Sequence, residues 1–262
     1  MPRAEEACAI HGIRLLQESP EIPADALLRE VDAVLVLGGD GTILRAIGCM
    51  QEHIRPVLGI NLGTLGFLAE CMPGELHQAI ARLAANDFWL ERRMLLHARL
   101  DGEDTVFTAL NDVVVARGSF SRMVQADAYV DGALAARYSG DGAVIASPTG
   151  STAYSLSAGG PIVAPSMDCF VVSPICPHTL SSRPMVVSAN SRLRMELTPR
   201  GEDGGMLLAV DGEQCRILKE DTVLHIRRSE RTLPFIRFGE DRFFELLRNK
   251  LSKWGGAMLQ DE

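Results

Sequence analysis

Asp40 stands in Gly38-Gly39-Asp40-Gly41-Thr42, between the apolar run Asp32–Leu37 and the amphipathic Ile43–Ile47. A carboxylate in a glycine turn at a strand-to-helix junction marks a place for phosphate chemistry. Glycines let the backbone come close to a phosphate, and a helix N-terminus offers unpaired N–H groups to an anion. A carboxylate beside that anion is repelled by it unless it meets a metal ion or takes a proton. Asp40 is therefore a candidate for metal binding or proton transfer, with Gly38, Gly39, Gly41 and Thr42 as phosphate-binding candidates.

Four further segments carry polar residues in suggestive places. Asn61–Leu68 is a second glycine loop following an apolar run, and its Phe67 either offers a flat face to a nucleobase or fills core. In Asn111-Asp112 the asparagine can pair with an adenine edge and the aspartate can accept both hydroxyls of a ribose. Alone, that pair also reads as a turn. Ser139-Gly140-Asp141-Gly142 leads into Ser147–Pro161, the densest run of glycine and small polar residues in the chain. Thr149, Ser151, Thr152 and Ser157 supply hydroxyls there, and the flanking Tyr154 and Leu156 favour a binding loop over a linker. Asp211-Gly212 is a turn signal by itself.

The elements that hold these residues follow two textures. Up to about Asn86, helical Ala4–Ile10, extended Ile13–Leu16, helical Ala24–Glu30, strand Asp32–Leu37, a helix through Met50, strand Pro56–Ile60 and a helix from Pro73 to Leu83 alternate. That order predicts a doubly wound α/β layer whose ligands bind at the carboxyl ends of the strands, where Asp40 falls. After Phe88 come short strand-like runs, separated by hairpin signals at Asp101-Gly102 and Asp131-Gly132. They are Leu95–Leu100, Thr105–Leu110, Val113–Ala116, Gln125–Val130, Ala143–Ala146, Cys169–Val172, Met185–Val187, Leu193–Leu197, Leu207–Val210 and Val223–Arg227. The expected division is 1–95 as an α/β domain, 96–235 as a β-rich domain, and a helix in 236–262 returning to the first.

Composition narrows the partners. A net charge of −8 argues against nucleic acid or an anionic membrane as the main partner. No apolar run reaches the ~20 residues of a membrane span, and the acidic start is unlike a signal peptide. Six scattered cysteines without a Cys-x-x-Cys pair argue against a disulfide framework or zinc site and point to a reducing cytoplasm. The only lysines are Lys219, Lys250 and Lys253. The P-loop pattern is therefore missing, and phosphate must be met by backbone amides, arginines and a bound metal. Ser151 and Ser155 lack a Gly-x-Ser-x-Gly elbow, against a serine hydrolase. His97, His178 and His225 have no ligand spacing.

Taken together, the segments from about Asp32 to Asp211 resemble NAD kinases of the bacterial type, the ATP-dependent enzymes that convert NAD to NADP. Gly38–Thr42 is similar to their Gly-Gly-Asp-Gly-Thr, Asn61–Leu68 to their Asn-x-Gly-x-Leu-Gly-Phe, and Asn111-Asp112 to their Asn-Asp or Asn-Glu pair. Ser147–Pro161 resembles their longest signature. Diacylglycerol and sphingosine kinases and phosphofructokinases share the first motif only. Two competitors, a lipid kinase and a non-catalytic NAD(P)-binding regulator, lack a reason for the long signature or for Asp40 respectively.

The resemblance implies an N-terminal α/β domain, a C-terminal β-sandwich and NAD in the cleft between them. Asp40 would be the catalytic aspartate acting on the adenosine ribose 2′-hydroxyl, with Mg²⁺ bridging the oxygens of ATP. Asn111 would read adenine and Asp112 hold the ribose hydroxyls. Phe67, Ala153, Tyr154 and Ser157 would line the adenosine pocket, and Gly41, Thr149 and Thr152 would also contact NAD. Asp141 and Asp211 would lie toward the nicotinamide riboside, with Asp141 in reach of a neighbouring subunit of a homodimer or homotetramer. The donor is expected to be ATP or polyphosphate. The start departs from the family pattern and is expected to be shortened: Arg3-Ala4-Glu5-Glu6 already looks helical where relatives carry an extra strand and loop.

Overall fold

The computed structural model describes residues 2–18, 24–50, 53–63, 66–118, 123–179, 181–200, 205–218 and 221–254. The chain forms two compact units, Met1–Arg92 with Leu233–Glu262, and Arg93–Thr232.

The first unit is α/β. Helices α1 (Pro2–Ile10), α2 (Ala24–Glu30), α3 (Asp40–Gly48) and α4 (Leu76–Ala84) alternate with strands β1 (Val34–Leu37) and β2 (Val57–Ile60). The strands read Val-Leu-Val-Leu and Val-Leu-Gly-Ile, the near-continuous apolar runs that parallel strands covered on both faces require. They pair in parallel from Val34↔Val57 to Leu37↔Ile60, and β2 meets a residue of the last strand at Val57↔Phe235. Ala4, Ala7 and Cys8 of α1 pack with Leu76, Ala79 and Ile80 of α4 and with Leu58 and Ile60. Ile13–Leu16, expected to be extended, forms no strand; Ile13 and Leu15 pack against this core instead. The expected strand Asp32–Leu37 begins only at Val34. Pro73–Glu75 is a 3-10 turn before α4.

The second unit is a β-sandwich. One antiparallel sheet contains β3 (Trp89–Leu100), β4 (Val106–Ala109), β6 (Met123–Val130), β7 (Ala133–Gly140), β11 (Leu193–Arg200) and β14 (Thr222–Arg237). The other runs β10-β9-β8-β5-β12-β13, namely Met185–Ser188, Cys169–Ile175, Gly142–Ala146, Asp112–Arg117, Met206–Val210 and Glu213–Leu218. Alternate residues of both sheets fill one core, Leu96, Met195 and Ile226 from the first facing Val115, Ile145 and Phe170 from the second. Asp101-Gly102, Asp131-Gly132 and Asp211-Gly212 turn the chain between strands, with positive φ at both residues of the last two pairs. The chain leaves and re-enters the first unit inside β3 and β14. Its last helix, α6 (Phe243–Trp254), belongs to the first unit.

Candidate active site

In the first unit Asp40 is the first residue of α3, with Gly39 as the extended residue before it. Its carboxylate reaches across to the second glycine loop. Oδ2 accepts the Phe67 N–H at 2.8 Å and Oδ1 the Leu68 N–H at 3.1 Å. Gly66 makes that approach possible, since a Cβ there would lie 1.9 Å from Asp40 Oδ1. The carboxylate is thus fixed by two backbone donors at the positive end of a helix. Gly39, Gly41 and Thr42 are exposed and open to a ligand, whereas Gly38 is buried. Arg237 holds the loop from behind, donating to the Leu68 carbonyl at 3.0 Å and pairing with Glu70 at 3.1 Å and Glu91 at 2.8 Å. The Phe67 ring lies 6.0 Å from Phe243, with the Lys250 ammonium 4.6 Å from its centroid. It is therefore covered in part by α6, and neither a free face nor simple core.

Sequence reasoning missed Asn61 as a site residue of this unit. It is 1% exposed, packs beside Gly39, and its Nδ2 is buried with no partner among the described residues. A buried donor left open costs free energy unless a ligand meets it. The signal was available: Asn61 is the first polar residue after a fully buried strand. Gly66 and Arg237 gave no comparable signal.

In the second unit Asn111-Asp112 opens β5. The Asp211 carboxylate gathers this corner: Oδ2 accepts the Leu110 N–H at 2.8 Å, and Oδ1 the N–H groups of Asn111 at 2.7 Å and Asp112 at 3.1 Å. The Asp211 N–H returns to the Asp112 carbonyl at 3.0 Å. Asn111 Oδ1 is buried and unpaired among the described residues, an acceptor left for a ligand donor. Gly150 packs against the same corner, where a Cβ would sit 2.1 Å from the Asn111 carbonyl oxygen.

Burial first, and the charge of Asp211 second, push the Asp112 carboxyl up to about 7. Asp211 is raised by its own burial, but its three amide donors pull the other way. Three amide donors favour the charged form of Asp211, whereas burial and the Asp211 charge both favour the protonated form of Asp112. The sign follows: an unfolded aspartate sheds its proton near pH 4, while folded Asp112 keeps it to about pH 7. The contribution is complete below pH 4 and lost as pH rises to 7, roughly 2–4 kcal/mol in all. Calorimetric Tm should therefore fall across that window more steeply in the wild type than in Asp112→Asn. Parallel curves would contradict the assignment.

The loop after β8 turns through a 3-10 segment, Thr149–Thr152, into α5 (Tyr154–Ser157). Its hydroxyls mostly serve the loop itself. Ser151 Oγ donates to the Pro148 or Val163 carbonyl and accepts the Val163 N–H at 3.0 Å. Thr152 Oγ1 donates to the Thr149 carbonyl at 3.3 Å, and Thr149 Oγ1 accepts from the buried Arg93 at 3.2 Å. Ser155 and Ser173 share a bond at 3.0 Å. Ser157 and Tyr154 are exposed and Ala153 half-buried, so these three present the loop to solvent. Asp141 pairs with Arg117 at 3.2 Å. The Tyr154 hydroxyl is raised by burial and then by the negative field of Cys176, Asp141 and Asp112.

The models of the ATP-NAD kinase N-terminal and C-terminal domains match residues 24–88 and 110–238. The NAD kinase of Moorella thermoacetica is 42% identical over 233 residues, 88% of this chain and 74% of that one. The NAD kinase of Gemmatimonas aurantiaca is 40% identical over 259 residues, 97% of this chain and 84% of that one. Yeast NADH kinase complexed with NADH superposes with a TM-score of 0.83 at 28% identity, over 92% of this chain and 72% of that one. An Archaeoglobus fulgidus NAD kinase in complex with ATP gives 0.79 at 27%, over 95% and 93%. With the glycine-aspartate turn, the Asn-Asp corner and the long signature loop in place, and both family domains matched, the chain belongs to the NAD kinase family.

Proposed function

We propose that this chain transfers the γ-phosphate of ATP to the 2′-hydroxyl of the adenosine ribose of NAD, giving NADP and ADP. The observation that carries the proposal is the Asp40 carboxylate, held by two backbone N–H groups at the head of α3 beside the exposed Gly39 and Gly41. The 2′-oxygen attacks the γ-phosphorus, the bond to the β-phosphate oxygen breaks, and the hydroxyl proton passes to Asp40. Gly39, Gly41 and Thr42 meet phosphate through backbone and hydroxyl. Asn111 pairs with adenine, Asp112 holds ribose hydroxyls, and Ala153, Tyr154 and Ser157 line the nucleoside. Asp141 serves the nicotinamide riboside side. Asp211 acts there through the backbone it grips.

Among the described residues no group of three His, Cys, Asp or Glu side chains could cage a metal ion. That donor set fits a cation carried on substrate phosphates, as Mg²⁺ commonly is, with Asp40 as the carboxylate of the turn that would face it. When bound, Mg²⁺ would neutralise phosphate charge next to Asp40. All six cysteines are free, and among the described residues no helix is long and apolar enough to cross a membrane. The free cysteines support a reducing, cytoplasmic setting, and the family resemblance supports a homodimer or homotetramer.

The deciding assay is the purified chain with ATP, Mg²⁺ and NAD, scored for NADP, with polyphosphate as a parallel donor. A folded protein that binds NAD and forms no NADP from either donor would overturn the proposal. Asn111→Ala should weaken NAD binding about tenfold, the cost of one buried hydrogen bond, with its Tm unchanged. Calorimetric titration giving wild-type affinity would return Asn111 to a plain turn residue.

A further inference from the structure

Outside this machinery, one cavity of the second unit has an unusual lining. It encloses about 350 Å³, and its ionisable residues are His97, Arg99, Arg192, Arg194, His225 and Arg227, with no carboxylate among them. The arrangement follows from strand period. On β3, β11 and β14 the inward positions Leu96, Ala98, Leu193, Met195, Leu224 and Ile226 fill the sandwich core. The positions between them point outward, and on three adjacent strands, with β14 in the middle, they are basic. Arg194 and His225 stand directly opposite each other. Apolar packing does not call for two basic side chains at one cross-strand pair. Nor does bulk composition, since the chain carries a net charge of −8.

Among the described residues, carboxylates stand at the margin of the cavity. Asp101 meets His225 at 3.1 Å, Glu230 is 3.9 Å from Arg227, and Glu196 binds Arg194. Asp131 accepts the backbone N–H of Arg192 at 2.8 Å. His97 Nδ1 is buried and unpaired among the described residues. Burial, then Arg227 and Arg231, hold the His97 ring below its usual value, with Glu230 opposing. An anion in the cavity would offset that positive field.

We propose that this cavity is a second anion site, separate from the catalytic machinery, which takes a short oligophosphate chain. The footprint selects the ligand. Three strands at ~4.8 Å spacing and two outward positions ~7 Å apart give a basic surface about 10 by 7 Å. A single phosphate fills a fraction of that surface, whereas a triphosphate chain spans it. Guanidinium groups pair with phosphate oxygens in bidentate fashion, and the volume is near the lower end for small-molecule sites.

Inorganic tripolyphosphate is the probe, titrated into the full chain in the absence of NAD and followed by the ring signals of its six histidines in NMR. The expected result is saturable shifts of His97 and His225. Arg192→Ala/Arg227→Ala should weaken the binding those shifts report about a hundredfold, a factor of ten for each charge-assisted hydrogen bond removed. Arg192→Lys/Arg227→Lys, which keeps the charge, should bind within about tenfold of wild type. NADP formation from ATP and NAD in the same variants reports folding and the kinase proposal separately, and it should be unchanged without tripolyphosphate. Shifts that fail to saturate, or an alanine pair that titrates like wild type, would overturn the second site.

Discussion

Asp40→Asn should lower kcat about 10²–10⁴-fold, the range for losing a general base. The same change should move Tm only about 2–4 °C. Two effects compete, and their sizes separate them. Asparagine keeps one acceptor oxygen, so one of the two bonds from Phe67 and Leu68 survives and the other donor faces an amide NH₂. That loss is about 1 kcal/mol of stability. The missing proton acceptor raises the barrier by about 3–5 kcal/mol, since each ~1.4 kcal/mol is a factor of ten. KM for NAD should change little, because NAD binding is assigned to other residues. Gly66→Ala tests the same geometry from the opposite side. Its Cβ would lie 1.9 Å from Oδ1, so the carboxylate must leave its seat. Turnover should fall with it, and Tm should fall further than in Asp40→Asn. Wild-type turnover in either variant would leave Asp40 as a clamp for the glycine loop and nothing more.

The turn that carries Asp40 was legible because its signals are local. An apolar run, glycines, one carboxylate and an amphipathic period all lie within about fifteen residues. The partners of that carboxylate were not legible. They are backbone N–H groups 27 and 28 residues away, and amides carry no residue-type signature. The strands Ala133–Gly140 and Glu213–Leu218 were missed for a related reason. The first exposes half of its residues and the second carries Glu213, Gln214 and Arg216, so neither shows an apolar run. In β14 only Val223–Arg227 looked strand-like, since the polar stretch Arg228–Thr232 interrupts sixteen residues that form one strand. The signature loop reads from the sequence as a binding loop, while most of its hydroxyls serve as its own scaffold. Serine and threonine bond to nearby backbone as readily as to a ligand, and composition does not distinguish the two uses. The basic cavity is illegible for a geometric reason: five of its six side chains come from three strands and Arg192 from the residue before β11, spread between positions 97 and 227.

Asp211 shows how far one side chain can differ from its sequence signal. As Asp211-Gly212 it reads as a hairpin turn, and its positive φ fits that role. Its carboxylate also satisfies three N–H groups at Leu110, Asn111 and Asp112, about a hundred residues earlier. Asp211→Ala should therefore be the most destabilising single change at this corner. Each buried donor left unpaired costs about 1–3 kcal/mol, and alanine at positive φ adds about 1 kcal/mol. Relief of the repulsion on Asp112 offsets part of this, so a net loss of about 3–5 kcal/mol and a Tm drop of about 10 °C are expected. Asp211→Asn keeps an acceptor and tolerates the backbone conformation, so it should fall between wild type and alanine. A second readout separates a positioning role from a merely structural one. With the Asp211 charge gone, the Asp112 carboxyl should titrate lower, moving the pH dependence of NAD binding toward acid in both variants. An Asp211→Ala protein with wild-type Tm would show that water replaces the carboxylate at all three amides. An unmoved pH profile would show that Asp112 does not sense its neighbour.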